Sequence, residues 1–93
     1  MLIQAEIQTA KCERVSINQV QMTIDVIPVN TKEVLTVSVI DSIDVIIEKF
    51  NACPINGKLI TGHLKNMSCL IQYTDGIYTF VKLQSGNMIG SST

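Results

Sequence analysis

The sequence has no tryptophan, and its 93 residues include only two tyrosines, two phenylalanines and one histidine. Single-stranded nucleic acid is held largely by bases stacking on aromatic rings, and with aromatics at 4% of residues there is little to stack on. Duplex binding needs neutralised phosphates, yet seven Lys plus Arg face eight Asp plus Glu, for a net charge of −1 with no block of one sign. General acid–base catalysis needs convergent titratable groups and turns most often to histidine, so His63 alone offers no catalytic constellation. No run approaches the ~18 uninterrupted apolar residues of a membrane span. The longest candidates, residues 34–40 and 45–47, are broken or bounded by Thr36, Ser38, Asp41, Asp44 and Glu48. Met1 and Leu2 lead directly into an alternating pattern with no basic segment or apolar core of a secretory leader, so a cytoplasmic location is expected.

Cysteine is scarce in a second sense. Cys12, Cys53 and Cys69 are odd in number and far apart, which argues against a disulfide framework and fits small core residues in a reducing compartment. A Cys₃His zinc set with His63 would lack the short Cys-x₂₋₄-Cys pairs that close such a site. A thiol–imidazole nucleophile drawn from Cys53, His63 and Cys69 has no recognised spacing. Gly57, Gly62, Gly76, Gly86 and Gly90 are isolated, so there is no Gly-rich phosphate loop. Neither a metal nor a cofactor is expected.

Hydrophobic residues make up 46% of the chain, enough for one core at this length. Residues 1–84 are read as a single domain and the Ser- and Gly-rich residues 85–93 as a flexible tail. Ile3, Ala5 and Ile7 alternate with Gln4, Glu6 and Gln8, the period of a half-buried strand, which predicts a strand over residues 2–9 and a break near residues 11–16. Val20, Met22, Ile24 and Val26 repeat the period in a second strand. Pro28 and residues 30–33 interrupt it, and Leu35, Val37 and Val39 resume it in a third.

At Asp41 the period changes. Ile43, Ile46, Ile47 and Phe50 fall on one face of a helix predicted over residues 42–52, with Asp41 or Ser42 as its cap and Pro54 as its stop. Asp44 and Glu48 lie on the opposite face, where they complement the helix dipole and solvate the surface. Residues 55–66 read as either a short strand or an irregular crossover. Asp75-Gly76 between residues 68–73 and 77–83 specifies a type I′ hairpin, which sets Tyr73 opposite Tyr78 and Ile71 opposite Phe80. The fold class that follows is α+β, a mostly antiparallel sheet of four to five strands with one helix packed on one face, in the order β-β-β-α-(β)-β-β.

Two groups of residues are candidates for contact with a partner. Tyr73 and Tyr78 pair near a turn at the sheet margin, and such rings are enriched at protein interfaces. Lys58, His63 and Lys65 form a small basic patch after the helix. Together they point to a non-enzymatic protein-binding module, an inhibitor or adaptor docking on a larger macromolecular complex. Phage-encoded anti-defence proteins such as anti-CRISPR proteins are the base-rate class for short chains of this kind. The alternatives are a structural subunit that assembles through its sheet and an accessory domain that contacts nucleic acid through a local basic patch.

Overall fold

The alternating segments form an antiparallel meander of β1 (Leu2–Arg14), β2 (Gln19–Pro28) and β3 (Leu35–Ser42) in the computed structural model, which describes residues 1–56 and 58–84. Helix α1 (Ile43–Phe50) follows, then a short hairpin of β4 (Cys53–Ile55) and β5 (Lys58–Ile60), a 3₁₀ turn at Gly62–Leu64, and the hairpin β6 (Ser68–Thr74) and β7 (Ile77–Gln84). The expected α+β order is therefore present, with the undecided segment resolved as a hairpin plus a 3₁₀ turn. The expected tail, residues 85–93, lies outside the described residues.

The main sheet runs β3-β2-β1-β6-β7 and is antiparallel throughout. Three strands in sequence followed by a fourth that returns beside the first is a Greek key. The sheet curls until its two edges, β3 and β7, come within 8 Å between Cα atoms without pairing. The result is a partly open five-stranded barrel. Inward-facing Ile7, Met22, Ile24, Val26, Val37 and Ile71 fill it, each buried aliphatic side chain contributing about 1.5–3 kcal/mol relative to exposure.

One strand departs from expectation. β1 does not end at residue 9 but continues to Arg14, because a bulge between Ile7 and Thr9 absorbs the change of parity. At the bulge, Ile7 bonds outside the main ladder: its N–H donates to Met67 O and its C=O accepts from Asn66 N–H, both at 2.8 Å. Beyond it, Ala10 and Cys12 turn toward the core while Lys11 and Glu13 face solvent. The bend lets β1 pair with β6 through its first half and with β2 through most of its length, as a closing barrel requires.

Helix α1 begins where β3 ends. The Ser42 hydroxyl accepts from Val45 N–H at 3.4 Å, and the helix stops at Asn51, whose N–H donates to Ile47 O and whose left-handed backbone turns the chain so that Ala52 N–H also reaches Ile47 O, at 3.1 Å. The stop thus comes three residues before Pro54. Ile46 and Phe50 enter the core, and Phe50 stacks on Phe80 of β7. The helix plugs one end of the barrel. At the other end, where β1, β3 and β7 begin and β2 and β6 finish, no helix covers the opening among the described residues.

Candidate binding surfaces

Asp75 and Gly76 both take positive φ, 51° and 83°, so the two-residue turn brings Tyr73 directly opposite Tyr78. Their rings lie 4.8 Å apart between centroids and are tilted by 48°. This parity points both rings toward the barrel's interior side, but at its uncapped mouth, so Tyr73 remains 39% exposed. Tyr78 is half-buried and, with Ile3, Pro28 and Leu35, lines a groove of about 300 Å³ that Asn30, Thr31 and Glu33 of the β2–β3 loop also line.

Apolar side chains surround this mouth. Leu2 is 59% exposed and Ile77 63%, and Val29 and Val34 on the β2–β3 loop are more than half exposed as well. Backbone bonds place them together: Tyr73 N–H donates to Met1 O at 2.9 Å, and Val29 N–H donates to Gln4 O at 3.0 Å. Sequence reasoning found the tyrosines through the turn but missed this rim. Leu2 and Ile77 could have been flagged by their outward parity in their strands; Val29 and Val34 carry no such signal, lying in the loop.

The basic candidates sit elsewhere. Lys58 starts β5, His63 lies in the 3₁₀ turn, and Lys65 follows it, all exposed. They precede Ser68, the plugged-end terminus of β6, whereas Tyr73 is near the other terminus of that seven-residue strand, about 17 Å from Ser68 at the usual rise. The structure therefore brings the tyrosines together and leaves the basic residues out of their site. His63 is committed locally, with Nε2 3.0 Å from Phe50 O.

The thiols do not converge either. Cys69 is fully buried on β6, and burial pushes its pKa up to about 11. Cys12 is half-buried, and its pKa is raised by burial and by neighbouring Glu13. A raised thiol pKa disfavours the nucleophilic thiolate. Cys53 is exposed on the small hairpin. Among the described residues, no three His, Cys, Asp or Glu side chains come together in a metal-binding group, and no polar or charged side chain is buried.

The outer face of β1, β2 and β3 is mostly polar, with Ile40 exposed among its hydroxyls and carboxylate. Asp25 accepts from the Thr9 hydroxyl at 2.9 Å and from Thr36 at 2.8 Å, Thr23 and Ser38 are 3.3 Å apart across the strands, and Lys11 pairs with Glu13 at 2.8 Å. No family model, curated protein or solved structure matches the chain.

Proposed function

We propose that this chain is a non-enzymatic protein-binding module that docks through the uncapped, tyrosine-bearing end of its barrel. The observation that carries this reading is the partly exposed Tyr73–Tyr78 pair at the open mouth, with exposed Val29 and Val34 on the β2–β3 loop and Leu2 and Ile77 exposed on the outer face of the same end. Exposed apolar clusters of this kind mark interaction sites. Tyrosine adds a large amphipathic contact with few rotors to immobilise, and it is enriched among binding hot spots. The groove beside Tyr78 would take a polar or basic side chain from the partner, with Asn30, Thr31 and Glu33 supplying polar contacts. Small inhibitors and adaptors act through surfaces of this type. The tethered histidine and the raised pKa values of Cys12 and buried Cys69 support a binding role over a catalytic one.

Fold analogy points elsewhere. A partly open five-stranded Greek-key barrel is the plan of the OB fold, which binds oligonucleotides and oligosaccharides across its second and third strands. Fold alone does not assign function, and here the corresponding face argues against nucleic acid. It presents Thr9, Thr23, Asp25, Thr36, Ser38 and Ile40, no aromatic ring, and a lysine already paired with Glu13. Stacking and phosphate neutralisation both lack their residues.

The test begins with affinity purification from the native host, using wild type and a Tyr73→Ala, Ile77→Ser variant as baits. Each chain retained by the wild type is then purified and titrated against both. A partner bound by wild type and lost by the variant supports the reading; a partner bound equally by both places the interface elsewhere.

A further inference from the structure

The plugged end of the barrel carries a second concavity, formed where β1 finishes, β2 and α1 begin, and the β4–β5 hairpin stands off the sheet. It measures about 490 Å³, within the ~300–1,000 Å³ range of small-molecule sites. Its apolar lining is Val20, Ile43, Pro54 and Leu59, with Cys12 beside them. Pro54 and Leu59 are direct cross-strand partners, so they present side by side on one face of the hairpin. Val20, Ile43 and Leu59 are continuous with the core.

Charge at the rim has one uncompensated sign. Arg14 and Lys58 both line the groove and are both exposed, and neither is ion-paired among the described residues. Glu13 also lines it, but its carboxylate is held by Lys11 at 2.8 Å. Arg14 is steadied rather than consumed. Its Nη1 donates to Ile17 O at 3.0 Å, and the turn that carries Ile17 is closed by Val15 N–H and Ser16 N–H donating to Gln19 O at 3.0 and 3.2 Å. A guanidinium has five N–H donors, so most of the fork remains for an oxyanion, which it recognises with planar, charge-assisted hydrogen bonds.

We infer that this groove binds a small amphipathic anion, with an apolar body laid on Val20, Ile43, Pro54 and Leu59 and a single carboxylate or sulfonate head on Arg14 and Lys58. The head and body requirements are both needed. Apolar lining alone would accept a neutral chain, and two surface cations alone would hold an inorganic anion too weakly to matter in salt. This site is independent of the tyrosine end, which lies at the opposite end of the strands.

The full-length protein is titrated with 8-anilinonaphthalene-1-sulfonate, whose fluorescence reports entry into an apolar site, and the bound probe is then competed with decanoate and with decanol. The expected result is saturable binding of one probe per chain, displaced by decanoate and poorly by decanol. Arg14→Glu with Lys58→Glu, both exposed positions, should weaken probe and decanoate by at least about tenfold, with an unchanged circular dichroism spectrum. Tyr73→Ala should leave both affinities as they are. Equal competition by decanol, wild-type affinity in the folded double variant, or loss of the probe on Tyr73→Ala would each overturn the assignment, the last by placing the probe at the tyrosine end.

Discussion

Phe50 and Phe80 stack with their ring centroids 4.2 Å apart and their planes inclined by 25°, which ties the last turn of α1 to the middle of β7. Phe50 is fully buried, so Phe50→Ala should cost about 3–5 kcal/mol through lost transfer energy and the cavity left behind. Asp44, exposed in the first turn of α1, contributes only through the helix dipole, and Asp44→Ala should cost under about 1 kcal/mol. Denaturant melts compare the two. A double-mutant cycle with Phe80→Leu should return a coupling of about 0.5–1.5 kcal/mol; additive effects would mean the rings do not touch in solution.

The β6–β7 turn separates backbone strain from packing. Gly76 sits at φ 83°, and a Cβ built there meets nothing within 4 Å. Gly76→Ala should therefore cost only the left-handed backbone penalty, about 1–2 kcal/mol, without disturbing its neighbours. Asp75→Asn keeps a residue that tolerates positive φ, and its melting temperature should match wild type. A large loss with Asp75→Asn would show that the aspartate carboxylate has a role beyond the turn.

The residues that could be read from sequence are those whose signal is local. β2, β3 and the Tyr73–Tyr78 register follow from period-two alternation and from Asp75-Gly76, and α1 follows from the stripe of Ile43, Ile46 and Phe50. The extent of β1 was not legible, because the bulge at residue 8 is set by tertiary bonds from Asn66 and Met67, nearly sixty residues away. The curl that brings β3 to β7 is likewise a property of the whole sheet. For the same reason the separation of Lys58, His63 and Lys65 from the tyrosines was not legible: β6 carries the chain from one end of the barrel to the other.

Cys69 gives the protein an alkaline limit. Burial lifts its folded-state pKa from 9.0 to about 11, so the folded chain holds the thiol proton more tightly than the unfolded chain does. The contribution to stability is complete below about pH 9 and is lost as pH rises toward 11. Denaturation midpoints measured across that window should fall, and Cys69→Ala should flatten part of the decline, whatever its cost at neutral pH. With a thiol-reactive dye at pH 8, Cys53 should label first, Cys12 more slowly, and Cys69 only on unfolding, in the order of their exposure. Early labelling of Cys69 would contradict its burial.

The two ends of the barrel can be told apart by what weakens binding. If the tyrosine mouth is the interface, Tyr73→Ala with Tyr78→Ala should reduce affinity for the protein partner by at least about 2 kcal/mol, the scale of a hot spot. The fold should survive, because Tyr73 is 39% exposed and Tyr78 only half-buried. Charge reversal at Lys58 and Lys65, which precede the opposite terminus of β6, should leave that affinity within about 0.5 kcal/mol, since exposed charges outside an interface act mainly on encounter rates. A nucleic-acid partner reverses both expectations. Phosphate contacts from those lysines would make log affinity fall with log salt by roughly 0.7–0.9 per contact, and the tyrosine substitutions would then be silent. Calorimetry at two salt concentrations with wild type and the two double variants separates the cases: a salt-insensitive loss confined to the tyrosine variant supports the protein-binding end, and a steep salt slope removed by Lys58→Glu with Lys65→Glu refutes it.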